Sequence, residues 1–314
     1  MILIIGVTAS GKGRLAFSLA KELNAEIISV DSMKVYRRMD IGTAKPTIEA
    51  RKQIPYHMID VVEPSEAFNV GTFYEQTLNE IDSIKSRGKN IVAVGGTGLY
   101  VKVLLEGLFD GAGSDESVRE KLQERIQNEG LLKLHQELSE IDPIAAERIN
   151  QNDSKRIIRA HEVYQITGKP ISSFQKQWKA YDNEASSEGN SHNWTIIGLR
   201  RAKEEESGRI NQRVKRMILD GLVDEVKSLL NEEKPLSKQA QSAIGYAEII
   251  NYLKGATDLK EAAELIKKNT RKLAKGQRTW FKTFRNVHWL DISPDESYEN
   301  IHLRAKTLLQ DIAS

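Results

Sequence analysis

The hydrophobic positions along the chain change period several times, and each change marks an element. MILIIG (1–6) is a continuous apolar run that stops at glycine, the pattern of a strand buried on both faces. In GKGRLAFSLAKELN (11–24), Leu15, Leu19 and Leu23 recur every four residues and so share one face of a helix. AEIISVDS (25–32) is a second apolar strand with a polar end. A helical pattern occupies Phe73–Arg87, and KNIVAVGGTG (89–98) is a third strand that stops at paired glycines before the helix LYVKVLLEGL (99–108). Short apolar strands alternating with helices predict an α/β fold, a parallel sheet flanked by helices. Ligands of such sheets bind beyond the carboxyl ends of the strands, which places Gly6–Gly13, Asp31–Ser32 and Gly95–Gly98 on one rim.

From residue 114 the strand pattern stops. SDESVREKLQERIQ begins with the capping residues Ser114 and Asp115, and DPIAAERI sets Asp142 before Pro143, the favoured start of a helix. NDSKRIIRAHEVYQITG is capped by Asn152 or Asp153 and closes at Gly168. DNEASSEGNSH (182–192) has almost no apolar content and reads as a flexible loop or linker. NWTIIGLRR then returns a strand to the sheet, and the remainder reads as helical to the end. The expected organisation is a core of 1–113 plus 193–314, with an all-helical insertion over 114–192.

Composition narrows the class. The 314 residues, 39% hydrophobic and 29% charged, suffice for one or two packed domains. No apolar run is long enough to span a membrane, and the apolar N-terminus lacks the basic lead-in of a signal peptide. The absence of cysteine excludes disulfides and cysteine zinc sites and fits a cytoplasmic protein. A net charge of +2 gives no argument for a polyanionic partner; the distribution of charge does.

GVTASGKG (6–13) fits G-x-x-x-x-G-K-[ST] up to its last position, where Gly13 replaces the metal-binding hydroxyl. It directly follows a strand and opens a helix, the context in which backbone amides and a helix N-terminus surround a phosphate. The alternative is a chance glycine-rich turn. Asp31, at the end of the second strand, can hold magnesium through water or accept a proton; equally, Asp31 and Ser32 can simply cap a turn. GGTG (95–98) offers close backbone approach and the Thr97 hydroxyl, or a tight turn that needs glycine dihedrals. No further strand ends in Asp, which argues against a motor or switch ATPase.

Arg209, Arg213 and Arg216 share a stripe of one helix, and Lys155, Arg156 and Arg159 lie on another. For either alone a solvated charged face is the simpler account. LIKKNTRKLAKGQRTWFKTFR (265–285) goes further, with eight Lys/Arg, no acid, and Trp280, Phe281 and Phe284 interleaved. That composition suits RNA phosphates and unstacked bases, with some of the aromatics packed on the core.

These segments, with ISVDSMKVYRRMDIGTAKP, VGGTGLYVKVLLEGL, RINQRVKRMILDGLVDEV, AIGYAEI and TRKLAKGQRTWF, occur in an order that resembles the tRNA dimethylallyltransferases (tRNA isopentenyltransferases) over essentially the whole chain. The resemblance implies a P-loop-kinase-like core whose helical insertion embraces the tRNA anticodon stem-loop. It implies transfer of a dimethylallyl group from dimethylallyl diphosphate to N6 of the adenosine 3′-adjacent to the anticodon, with the base flipped out of its stack. Matched position by position, Gly6, Val7, Thr8, Ala9, Ser10, Gly11, Lys12 and Gly13 cradle the diphosphate. Asp31 is the general base, and Thr8 and Arg213 act on the leaving group. Asp31, Ser32, Met33, Lys34, Thr97, Arg119, Lys155, Arg156, Ile157, Ile158, Arg159, Lys275 and Arg278 fall in segments that contact tRNA. Mg2+ is the implied cofactor, with its ligands left open between water, Asp31 or Ser32, and a looser hold than in the family, and a cytoplasmic monomer is expected. The family usually has Pro, Thr, Gln, Gln and Arg where this chain has Val7, Gly13, Lys34, Lys155 and Gly276. The nearest alternative is an adenylate dimethylallyltransferase acting on free AMP, ADP or ATP, for which the insertion and the basic helix have no use. A small-molecule kinase would need the hydroxyl at 13.

Overall fold

The computed structural model describes residues 1–108, 113–174 and 193–313; the flexible loop expected at 182–192 lies outside them. In chain order the elements are β1 (Ile2–Gly6), α1 (Lys12–Glu22), β2 (Ala25–Val30), α2 (Ile48–Gln53), β3 (Tyr56–His57), α3 (Val70–Ser86), β4 (Asn90–Gly95) and α4 (Gly98–Glu106). Next come α5 (Glu116–Glu129), α6 (Leu131–Ile141), α7 (Pro143–Arg148), α8 (Ser154–Thr167) and α9 (Ile171–Phe174). The chain then gives β5 (Thr195–Arg200), α10 (Lys203–Leu219), α11 (Leu222–Leu230), α12 (Lys238–Gln241), α13 (Tyr246–Leu253), α14 (Leu259–Phe281), β6 (Val287–Asp291) and α15 (Tyr298–Ala313).

Two compact units result, Met1–Leu105 with His192–Ser314, and Glu106–Ser191. In the first, six strands form one parallel sheet in the order β3-β2-β4-β1-β5-β6. The central strands are mostly apolar because helices cover both faces, with Glu26 and Ser29 of β2 as buried polar exceptions. Leu15 and Leu19 of α1 lose all contact with water against Ile4, Ile27 and Val92. Full burial of such side chains contributes about 1.5–3 kcal/mol each.

The expectation that the chain is helical after β5 is wrong at β6, which pairs in parallel with β5 from Ile196↔Val287 to Arg200↔Asp291. β6 is an edge strand, and within VHWLD only Leu290 is buried, so it lacks the continuous apolar run that marked the inner strands. It also overturns the expectation that no further strand ends in Asp: β6 ends in Asp291, whose carboxylate is taken by Arg200 of the neighbouring strand. β3 escapes the pattern because it is two residues long.

Among its described residues the second unit contains helices and connecting loops and no strand. Asp115, Asp142 and Asp153 accept backbone N–H bonds as the N-caps of α5, α7 and α8, and Gly168 ends α8 in the left-handed conformation. Two apolar clusters hold it, one around Leu122, Leu134, Ile157 and Ile158, the other around Leu138, Ala160 and Val163.

Candidate active site

The loop between β1 and α1 is wound by two residues on the left-handed side of backbone space, Ala9 (φ 65°) and Gly11 (φ 100°). Alternating such residues with ordinary ones turns successive amides toward one concavity, an anion-binding nest. No side chain caps α1 at Gly11, so its first amides stay available to a ligand. Lys12 reaches back along the loop, its Nζ 3.2 Å from the Val7 carbonyl. The Ser10 hydroxyl is fully buried and has no hydrogen-bond partner among the described residues. Gly13 is exposed, and a Cβ there would meet nothing within 4 Å. Steric crowding therefore does not account for the missing hydroxyl.

β2 delivers Asp31 beside the loop. Its Oδ1 accepts from the backbone N–H groups of Met33 (2.9 Å) and Lys34 (3.3 Å), so the turn-capping role is real. That bonding occupies one carboxylate oxygen; the other has no partner among the described residues. The long segment that follows Asp31 is held from several sides. Glu225 accepts from the Asp40, Ile41 and Gly42 amides (2.9, 2.7 and 3.1 Å) and from the Tyr246 hydroxyl (2.6 Å). Buried Lys45 donates to the Tyr36 carbonyl and to Asp40 and Asp60.

β4 ends at Gly95 and Gly96, and these glycines are required for space, not for dihedrals. Neither has a positive φ, yet a Cβ on Gly95 would lie 1.9 Å from the Val30 carbonyl oxygen and one on Gly96 2.4 Å from Gln277 Nε2. Thr97 Oγ1 accepts from the Ser32 N–H at 3.1 Å, which ties the ends of β2 and β4 together. At Gly98 a Cβ would fall 2.4 Å from Trp280 Cγ, so α14 packs directly on the start of α4.

Between these parts lies a cavity of about 530 Å³, lined by Thr8, Asp31, Ser32, Met33, Thr97 and Arg213 and walled by Leu99, Met217, Leu273 and Trp280. Arg213 on α10 donates to Thr8 Oγ1 at 3.1 Å. Lys12 feels Lys34, Arg213 and Asp31 as its charged neighbours. Burial first, then the Lys34 and Arg213 cations, push its ammonium down to about 7, with Asp31 opposing. Lys34 is lowered as well, by burial foremost and by Arg213 and Lys45, against Asp31. Burial and Arg209 likewise weaken the proton affinity of Arg213. One carboxylate does not compensate three cations, and the surplus positive charge is what a multiply charged anion would neutralise.

The other residues expected at the site divide. Gly276 is exposed on α14, with nothing within 4 Å of a Cβ there, and it borders the cavity. Lys275 is exposed, but Arg278 is committed to buried Glu206 in an ion pair between α14 and α10. Arg216 faces water and pairs with Asp220 at 2.8 Å. In the helical unit Lys155 and Arg156 are exposed. Ile157 and Ile158, expected among the tRNA contacts, instead bury their side chains in the core, because the apolar stripe of α8 must face α5 and α6. Arg119 and Arg159 both engage Glu162, a fully buried carboxylate, at 2.9 and 2.6 Å.

Three contributors escape sequence reasoning. Gln277 accepts the Thr8 N–H at 2.8 Å and donates to the Gly96 carbonyl at 3.0 Å, bridging the loop to β4. Arg201 and Arg209 donate to the carbonyls of Ser10 (2.9 Å) and Ala9 (2.7 Å). A signal existed for Arg201, a charged residue at the end of an apolar strand, as with Asp31. Gln277 stood out only as a neutral side chain in a basic run.

Fold and site define a P-loop α/β protein that presents an anion cradle, a lone carboxylate and an adjoining cavity. The family model described as "IPP transferase" matches residues 34–284. Among curated relatives, the tRNA dimethylallyltransferase of Geobacter metallireducens is 42% identical over 291 residues, covering 93% of this chain and 92% of the relative. That of Acetivibrio thermocellus is 44% identical over 302 residues, covering 96% and 94%. The crystal structure of a tRNA isopentenylpyrophosphate transferase from Bacillus halodurans is similar with a TM-score of 0.71 at 38% identity, over 99% of this chain and 95% of that one. A eukaryotic dimethylallyltransferase acting on tRNA gives a TM-score of 0.81 at 27% identity, over 100% and 79%. The chain belongs to the IPP transferase family.

Proposed function

We propose that this protein is a tRNA dimethylallyltransferase that alkylates N6 of the adenosine 3′-adjacent to the anticodon, using dimethylallyl diphosphate and releasing diphosphate. The observation that carries this reading is the cation surplus of Lys12, Lys34 and Arg213 around a P-loop, set beside one carboxylate on a cavity of about 530 Å³. The loop amides and Lys12 hold the diphosphate, and the apolar wall of Met217, Leu273 and Trp280 receives the prenyl chain or the base. The N6 nitrogen attacks the prenyl carbon, the carbon–oxygen bond breaks, and its electron pair leaves with the diphosphate. Arg213 and Lys12 stabilise the charge that grows on that group. Asp31 takes the proton from N6, since the N–H of an aryl amine becomes acidic enough to lose only as the new bond forms and positive charge develops on nitrogen.

The oxygens of Asp31 and Ser32 at the cavity fit Mg2+, which favours hard oxygens and takes few protein ligands beside phosphate and water. When bound there it would neutralise part of the diphosphate charge. Among the described residues no three His, Asp or Glu side chains gather into a dedicated cation cage, so the substrate's own oxygens would be its main ligands.

The anticodon stem-loop is the proposed tRNA element, with Lys155, Arg156 and Lys275 as exposed cations for its phosphates. A cytoplasmic monomer accounts for the reaction, since one chain supplies every group named at the cavity. Among the described residues no helix is long and apolar enough to cross a membrane. Incubation with labelled dimethylallyl diphosphate and either unmodified tRNA or AMP tests the reading. Label is expected in tRNA, and label in AMP alone would favour the mononucleotide enzyme.

A further inference from the structure

The anion nest is gripped from behind. Three successive loop residues each give an oxygen to a different arginine: Thr8 Oγ1 to Arg213 (3.1 Å), the Ala9 carbonyl to Arg209 Nε (2.7 Å), and the Ser10 carbonyl to Arg201 Nε (2.9 Å). Arg213 lines the main cavity, whereas Arg209 and Arg201 do not. They line a separate polar cavity of about 150 Å³ on the other side of the loop, and their guanidinium groups pass 3.8 and 3.9 Å from where a Cβ on Gly11 would stand.

Ala9 is the point of weakness. Its φ of 65° is a conformation that glycine adopts freely and that an alanine adopts only at a cost. If Ala9 relaxed, the Ala9–Ser10 peptide would swing. The Ala9 carbonyl would leave Arg209, the Ser10 N–H would leave the Val7 carbonyl at 3.2 Å, and the amides of Gly11 and Lys12 would turn away from their common focus. The Arg209 bond is made to the very carbonyl that this rotation would move.

We propose that Arg209 is a positioning residue for the transfer reaction, whose Nε–H grip on the Ala9 carbonyl holds the left-handed backbone that the diphosphate nest requires. Arg201 acts in the same way one residue further on, its own guanidinium fixed by Glu205. The role lies in the directed hydrogen bond more than in the charge. This inference rests on the reading of the loop as the diphosphate site.

The side-chain geometry provides the test. Glutamine places an N–H donor at the same number of bonds from the backbone as arginine Nε, so Arg209→Gln keeps the grip and removes the charge, while Arg209→Ala removes both. Binding of inorganic diphosphate is measured by titration calorimetry on the full chain, with the thermal midpoint followed in parallel. Arg209→Ala is expected to weaken binding about tenfold, the scale of the left-handed preference it leaves unsupported. Arg209→Gln should stay within about threefold of wild type, a loss on the scale of one charge near but outside the nest. Ala9→Gly, which removes the strain at its source, should restore most of the affinity when added to Arg209→Ala. Arg209→Gln binding as weakly as Arg209→Ala, or no recovery on adding Ala9→Gly, overturns the positioning role while leaving the loop's function intact. Wild-type protein that binds no diphosphate overturns the reading of the loop and this inference with it.

Discussion

Diphosphate binding should take up a proton through Lys12. In the free protein its ammonium is lowered from 10.5 to about 7 by burial and by Lys34 and Arg213. A diphosphate in the nest reverses the charge part of that environment and returns the group toward its ordinary value. At pH 8.5 free Lys12 would be protonated in about 3% of molecules, so each bound molecule whose ammonium is restored takes up nearly a whole proton. Because the charged form is the one that binds, the protonated fraction sets the affinity. That fraction falls from about 24% at pH 7.5 to about 3% at pH 8.5, an approximately eightfold weakening. Lys34, also lowered, acts in the same direction. Calorimetry in two buffers of different ionisation enthalpy measures the uptake directly, and Lys12→Met should abolish most of it. Binding at pH 8.5 without proton uptake, or an uptake unchanged in Lys12→Met, would refute the reasoning. The same shift has a stability consequence of defined sign. Between about 7 and 10.5 the unfolded chain holds a proton that folded Lys12 has lost. Stability contributed through this residue therefore rises with pH across that window, and Lys12→Met should flatten the rise.

Asp31→Asn keeps an oxygen acceptor for the turn and removes the base, so turnover should fall by about 10²–10⁴ with tRNA affinity nearly unchanged; wild-type turnover would remove Asp31 from that role. Gly13→Thr enters open space and should strengthen the dependence of diphosphate binding on Mg2+, checked by calorimetry with and without the ion; an identical Mg2+ response would mean that position 13 does not face the metal. Gly98→Ala would drive a methyl against Trp280 and should lower the thermal midpoint by an amount equivalent to about 1–3 kcal/mol, whereas an unchanged midpoint would show that α14 yields without cost. Gly276→Ala, exposed and inside α14, should stabilise by about 0.5–1 kcal/mol, read as a higher midpoint in thermal denaturation.

The inner strands were legible because burial on both faces leaves an uninterrupted apolar run, as in Ile2–Gly6 and Asn90–Gly95. The edge strand Val287–Asp291 was not, since it buries a single residue and no periodicity separates it from the helices around it. The loop between β1 and α1 was legible because its glycines and lysine lie close together in the chain. Its supports were not, because Arg201, Arg209 and Gln277 reach it across sequence separations of 191, 200 and 269 residues. Local pattern favours a solvated face for a basic stripe. On α10 that account holds for Arg216 and fails for Arg209 and Arg213, and only the packing of α10 beside the loop distinguishes them. The converse holds at Arg278, where a tRNA contact was expected and a buried carboxylate, Glu206, engages the guanidinium. At Asp31 the two readings of the sequence coexist, one oxygen capping the turn and the residue lining the cavity.

Transfer of a dimethylallyl group to one adenosine of tRNA can be read by mass mapping of nuclease fragments from an unmodified tRNA after incubation with the protein, dimethylallyl diphosphate and Mg2+. One added dimethylallyl group is expected on N6 of the adenosine 3′-adjacent to the anticodon, lost when that adenosine is replaced. A tRNA left unmodified while AMP is alkylated, or modification that persists after that replacement, would contradict it.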